Sequence, residues 1–168
     1  NISILEIGAA TGNLLKNIKI YYKLNKQNLL GIEPSKYLSN QLKNNKFFKV
    51  KNTFLNNFNS KKKFDLILLD NVFEHIEEPN FALKKITNLL NNNGRVYISV
   101  PNIFKFKPSF RDPFGHSINY YQNNLKYVLE KNGFKIIKLK KQFTYINVLI
   151  KRENYYYSNV LVNKKDKI

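Results

Sequence analysis

Short apolar runs alternate with amphipathic stretches along nearly the whole chain. Residues 2–7 form a mostly apolar run leading into Gly8, which reads as a buried parallel strand. After Gly12, the residues Leu14, Leu15, Ile18, Tyr21 and Tyr22 recur at helical spacing. Residues 29–32 predict a second buried strand, and Ser35 stands where it would cap the next helix. Residues 47–50 suggest a third strand, and 64–69 are the clearest of all, with Asp65 at the edge of the run. A helix is predicted over about 79–90, carrying Phe81, Leu83, Ile86, Leu89 and Leu90. The run Asn91-Asn92-Asn93-Gly94 should stop it, with Gly94 taking the left-handed turn after the helix. Residues 96–100 predict a fifth strand broken by Pro101. A long loop with Pro108, Pro113 and Gly115 follows, of the kind that is often functional. Residues 121–131 predict the last helix, ended by Asn132-Gly133, and 134–139 and 145–150 predict two closing strands.

Repeated strand–helix units imply an α/β, Rossmann-like, doubly wound sheet, mostly parallel with an antiparallel last strand and helices on both faces. The expected organisation is one domain over residues 1–152 and a polar tail, rich in lysine and tyrosine, over 153–168. Ligands of such sheets bind beyond the carboxyl ends of the strands where strand order reverses. That rule points to the residues just after Ile7, Ile32, Lys51, Leu69 and Val100.

Composition removes some alternatives. With no cysteine there are no disulfides or thiolate metal sites. This suits a reducing compartment, and a cytoplasmic location is expected. No apolar run approaches the roughly 18 residues that a membrane span needs. The sequence holds no methionine and opens on Asn1 directly before a strand pattern, so a preceding N-terminal piece is expected. The net charge of +18 suggests a polyanion as partner. However, all but Arg95, Arg111 and Arg152 of the 29 basic residues are lysines, and they accompany many Asn, Ile, Phe and Tyr residues. A/T-rich codons alone produce that mixture. The lysines also read as dispersed, apart from Lys61-Lys62-Lys63 and Lys164-Lys165, and dispersed lysines make a solvated surface. Bare charge is a weak pointer, so nucleic acid is not the expected substrate.

The most informative stretch is Glu6-Ile7-Gly8-Ala9-Ala10-Thr11-Gly12, strand to turn to helix. Its glycines permit a tight turn and close approach of backbone to a ligand, and the helix start offers amides to an anion. Glu33 follows 21 residues after Gly12, where a carboxylate can accept from both hydroxyls of a ribose. The spacing is Gly-x-x-x-Gly rather than Gly-x-Gly-x-x-Gly, which argues against a dinucleotide.

This stretch resembles motif I of the class I S-adenosylmethionine-dependent methyltransferases, and similarity continues along most of the chain. Gly31-Ile32-Glu33-Pro34-Ser35 looks like the ribose segment. Phe64-Asp65-Leu66-Ile67 with Val72-Phe73-Glu74-His75-Ile76 is similar to the fourth-strand region, and Ser99-Val100-Pro101-Asn102 to the fifth. Methyltransferases of quinone biosynthesis and of sugar or small-molecule tailoring are the most similar in style. The resemblance implies S-adenosyl-L-methionine as cofactor, contacted by Glu6, by the backbone of Gly8, Ala9 and Gly12, and by the Glu33 carboxylate. Pro34, Thr53 and Phe54 would flank adenine, and Asp70 and Asn71 would lie near the methionine moiety. Ala10 stands where the family has its middle glycine, a replacement that is tolerable if its φ is negative. Asn71 replaces the first acid of a possible pair before His75, so no metal is expected.

Methyl transfer needs alignment above all, and a base only when the acceptor arrives protonated. Two histidines are candidates, His116 in the long loop beside Asp112, and His75, for which a structural role is the better reading. Asn102, Asp112 and Tyr120 are candidate substrate contacts. The expected acceptor is a small molecule methylated on oxygen or carbon, such as a quinone precursor or sugar. An RNA methyltransferase and a non-catalytic cofactor-binding scaffold are the alternatives. Asp70-Asn71-Val72-Phe73 lacks the two prolines typical of enzymes that methylate base nitrogens.

Overall fold

A computed structural model describes residues 2–102 and 117–153. In chain order these give β1 (Ile4–Ile7), α1 (Asn13–Tyr22), β2 (Leu29–Ile32), α2 (Lys36–Leu42), β3 (Lys49–Lys51) and β4 (Phe64–Asp70). There follow α3 (Pro79–Leu89), β5 (Leu90–Pro101), α4 (Gln122–Lys131), β6 (Phe134–Lys141) and β7 (Tyr145–Arg152). The strands form one sheet in the order β3-β2-β1-β4-β5-β7-β6. The pairs from β3 to β5 are parallel, and β7 runs antiparallel between β5 and β6. Strand order reverses between β1 and β4, so the carboxyl ends of these two strands and of β2 border the switch point.

The sheet is covered on both faces because successive side chains of a strand point to opposite sides. Leu5 and Ile7 of β1 and Ile67 and Leu69 of β4 share a core with Leu83 and Ile86 of α3 and Leu125 and Leu129 of α4. Ile4, Leu29 and Leu68 pack instead with Leu15 of α1, Leu42 of α2 and Phe48. The helices begin as their sequences dictate. The Ser35 hydroxyl accepts from the Leu38 amide at 3.3 Å, and Pro79 occupies the first turn of α3, where a missing N–H costs nothing.

The end of α3 differs from the sequence expectation. Gly94 is not in the left-handed region, and β5 starts at Leu90 directly after the helix. Leu90 pairs with Phe64 and Arg95 with Leu66, so residues 91–94 oppose Asp65 alone and form a bulge. Asp65 anchors both sides of it. One carboxylate oxygen accepts from the Ser3 amide and hydroxyl at 2.8 Å each, the other from Asn91 Nδ2 at 2.6 Å. These bonds, the Ser3 amide foremost, hold its pKa below the ordinary value. Gly94 is a packing glycine, since a Cβ there would lie 2.7 Å from Leu90 Cγ and 2.9 Å from the Phe64 carbonyl. The sheet edges are charged, with Lys49 and Lys51 on β3 and Lys135, Lys138 and Lys140 on β6, which discourages pairing with other strands.

Candidate cofactor site

From Ile7 the chain turns back into α1 through three left-handed residues, Gly8 (φ 72), Ala10 (φ 45) and Gly12 (φ 75). The condition of a negative φ at Ala10 is therefore not met, and a left-handed alanine stores strain. The turn holds it there because the Ala10 amide donates to Glu33 Oε2 at 2.8 Å. The glycines are required by the protein's own packing. A Cβ on Gly8 would lie 2.5 Å from Val72 Cγ2, and one on Gly12 would strike Phe48 and lie 2.9 Å from Leu42.

The resemblance assigned backbone contacts to Gly8, Ala9 and Gly12, but their amides are already used. Gly8 N and Ala9 N both donate to the Ile32 carbonyl, at 2.9 and 3.0 Å, and Gly12 N donates to the Ala9 carbonyl at 2.6 Å. Ala9 and Gly12 are buried as well, so the exposed tip of the turn is Ala10 and Thr11. Those three N–H groups are therefore committed to the protein's own carbonyls. The period and spacing of the sequence contained no signal for this, since it depends on β2 lying beside β1.

Glu33 ends β2 with its side chain turned back over the turn. Its Oε1 accepts from Ser35 N and its Oε2 from Ala10 N, both at 2.8 Å, and only 5% of the residue is exposed. Each carboxylate oxygen retains acceptor capacity for a sugar hydroxyl. Beside it Thr53 N donates to the Glu33 carbonyl at 3.3 Å. Asn52 Nδ2 bridges the Glu33 and Pro34 carbonyls at 2.8 and 2.9 Å. Pro34 and Phe54 are exposed on this side of the site, Phe54 by 62%. The bridging role of Asn52 was not anticipated.

Glu6 points into the same region from β1. It is 4% exposed, and its Oε2 has no hydrogen-bond partner among the described residues. Burial pushes its pKa up to about 8, the Asp70 charge adds to the rise, the Leu15 amide opposes it, and Glu33 contributes last. Three carboxylates thus converge where the strand order reverses, and one of them is buried with an acceptor atom to spare. That arrangement fits a cationic, ribose-bearing ligand such as S-adenosylmethionine. Asp70 itself is exposed at the end of β4. Asn71 follows in the left-handed region (φ 53), which asparagine tolerates. Its amide donates to the Ser99 carbonyl at 3.0 Å and its Nδ2 to Asp70 Oδ1 at 3.2 Å.

The acceptor-side candidates separate. Asn102 is fully buried, donating through its backbone N–H to the Thr144 carbonyl at 2.8 Å and through Nδ2 to the Gln142 carbonyl at 3.0 Å. It ties the end of β5 to the β6–β7 turn, and its Oδ1 has no hydrogen-bond partner among the described residues. Tyr120 is buried too, stacked on Phe73 with ring centroids 5.2 Å apart. Burial first, then the Glu74 charge, holds its phenol well above the usual range, so it stays protonated. It packs in the core with Phe73. His75 lies exposed in a 3-10 turn, Phe73–His75, whose backbone is tied down by Ser117 Oγ on the His75 carbonyl (3.4 Å) and Ile118 N on the Glu74 carbonyl (3.0 Å). His116 and Asp112 lie outside the described residues.

Comparison with known proteins agrees with this geometry. A family model described as a methyltransferase domain matches residues 1–139. No curated protein sequence matches. Among solved structures, the plantazolicin methyltransferase BpumL, in complex with a monoazolic desmethylPZN analog and SAH, superposes with a TM-score of 0.75 at 18% identity. That match covers 91% of this chain and 76% of the other. The CcbJ methyltransferase from Streptomyces caelestis gives 0.75 at 11% identity, covering 91% and 84%. An S-adenosylmethionine-dependent methyltransferase from Clostridium acetobutylicum gives 0.70 at 15%, covering 90% and 84%.

Proposed function

Because the chain belongs to the class I S-adenosylmethionine-dependent methyltransferases, we propose that it transfers the methyl group to oxygen or carbon of a small molecule, a quinone precursor, sugar or similar metabolite. The observation carrying this reading is the state of the place where base-methylating enzymes present an aromatic to a nucleobase. Here Val72 packs over Gly8, and Phe73 is fully buried against Tyr120, so no ring is offered for stacking. BpumL and CcbJ are methyltransferases on the same fold.

S-adenosylmethionine supplies a methyl group on a sulfonium, and the protein's work is to bind and orient. Glu33 accepts from the ribose hydroxyls, with Pro34, Thr53 and Phe54 beside the base. Asp70 gives the cationic portion negative charge, Glu6 adds to it when the bound cation draws off its proton, and Asn71 shapes the approach. His116, oriented by Asp112, would take a proton from the acceptor. The check on that role is a His116→Ala variant that retains cofactor affinity and loses turnover. The functional unit is proposed to span 1–152 and to act in the cytoplasm. No helix among the described residues is long and apolar enough to cross a membrane.

Titration calorimetry should show S-adenosylmethionine and S-adenosylhomocysteine binding, and no heat from NAD. Screening phenolic, sugar and RNA acceptors with methyl-labelled cofactor then tests the acceptor class. Label entering RNA bases and no small molecule would overturn it.

A further inference from the structure

Lysines that look scattered in the sequence come together in the folded chain. A cleft of about 570 Å³ between α3 and the segment before β4 is lined by Lys61, Lys63, Lys84 and Lys85, with Phe58 and Phe81 on its wall. A second of about 430 Å³, over β2 and β3, is lined by Lys26, Lys43, Lys49, Lys51 and Lys62. The two meet at Ser60, and neither is lined by an aspartate or glutamate. They share no residue with the Gly8–Gly12 turn, Glu33, Asp70 or Asn71.

The ammonium groups that are held in place are held by neutral acceptors. Lys26 Nζ donates to the Asn45 carbonyl at 2.7 Å and Lys62 Nζ to the Gln27 carbonyl at 3.3 Å, while Lys85 Nζ reaches the Asn56 carbonyl. Such bonds fix position without cancelling charge, and an ammonium has three donors, so donors remain for a ligand. Phe81 stands at the rim 47% exposed.

We propose that the paired clefts are a docking track for single-stranded nucleic acid, distinct from the methyl-transfer site. Lysines act as point charges that suit successive phosphates, and an exposed ring gives a base a stacking platform. The absence of arginine from the lining removes the usual bidentate reading of base edges, so the track is indifferent to sequence, and the exposed ring of Phe81 beside the lysines favours a strand carrying bases over an acidic peptide. A path of two adjoining clefts suits a flexible strand better than a duplex. The strand is a tether here rather than the methyl acceptor, so this inference does not rest on the acceptor class.

The test uses the full chain and a fluorescein-labelled 20-nucleotide oligouridine, followed by anisotropy across a salt series. Lys49→Gln/Lys61→Gln/Lys84→Gln should weaken binding by about tenfold or more and flatten the log–log salt slope by about 2. An equal charge change on β6, Lys135→Gln/Lys138→Gln/Lys140→Gln, should cost less than about twofold, since these lysines lie off the track. Phe81→Ala should weaken binding about fivefold or more with the slope unchanged. Retained S-adenosylhomocysteine binding shows that each variant is folded. The proposal is overturned if the β6 variant loses as much as the cleft variant, because net charge then explains everything. It is equally overturned if no binding is seen near physiological salt, or if a polyglutamate peptide of matched charge competes as well as oligouridine, which would make the partner an acidic protein.

Discussion

Glu33→Ala is expected to weaken S-adenosylmethionine binding by roughly tenfold to a hundredfold, the loss of about 1.5–3 kcal/mol when a charged acceptor is removed from buried partners. The structure adds a second cost. The Ala10 and Ser35 amides both terminate on this carboxylate, and alanine leaves them without it. Ala10 then has nothing to hold its left-handed φ of 45, so the turn should relax and the ligand-free domain should also melt earlier. Glutamine is not a mild substitute. Both protein partners of Glu33 are donors, and the NH2 of Gln would face one of them, so Glu33→Gln should recover only part of the affinity. Calorimetry on all three proteins, with thermal melts alongside, is the measurement. A folded Glu33→Ala protein with wild-type affinity would place the ribose elsewhere.

Glu6→Gln should behave in the opposite sense, stabilising the ligand-free protein while impairing binding. Its carboxyl titrates near 8 when folded, against an ordinary value of 4.5. Below 4.5 both folded and unfolded forms are protonated, and Glu6 contributes no pH dependence. As pH rises from 4.5 to about 8 the unfolded chain releases the proton and the folded chain keeps it, so stability falls throughout this window and stays low above it. Glutamine removes that penalty. The variant should melt at the wild-type temperature near pH 4 and several degrees higher at pH 8, a gain on the order of a few kcal/mol at most. A cationic ligand favours the ionised carboxylate, so wild-type cofactor affinity should climb with pH through the same window and that of Glu6→Gln should not. Equal melting temperatures for the two proteins at pH 8, or parallel affinity profiles, would show that Glu6 is not strained by burial.

The alternation of apolar runs with helical spacing was sufficient to order the strands and helices, because a strand buried on both faces must be apolar and an amphipathic helix must present a stripe. β2, the Ser35 cap and α4 fall where that pattern puts them. Glu33 and Asp70 were site candidates for a local reason, since each follows a buried strand and buried runs are easily recognised, whereas Glu6 became one through the resemblance of residues 6–12 to a family motif. Gly8 and Gly12 also announce the tight turn, whereas the left-handed Ala10 between them does not show in the sequence.

What the tertiary structure decided is everything that depends on which strand lies next to which. Gly8 and Ala9 lose their amides to Ile32 because β1 pairs with β2 in that register, and no spacing within residues 6–12 contains this information. Gly94, read locally as a helix stop, is a glycine because Leu90 and the Phe64 carbonyl crowd it across a bulge. Asn102 is held by the Gln142 and Thr144 carbonyls, 40 and 42 positions along the chain, a tie to the hairpin that no local pattern contains. The lysines make the same point for charge. Lys26, Lys49, Lys62 and Lys84 are tens of residues apart, and only the stacking of β2, β3 and α3 around Ser60 brings like charges onto adjoining clefts. Composition determines how much positive charge the chain carries; the fold determines where it is concentrated, because Coulomb's law depends on distance in space and not along the sequence.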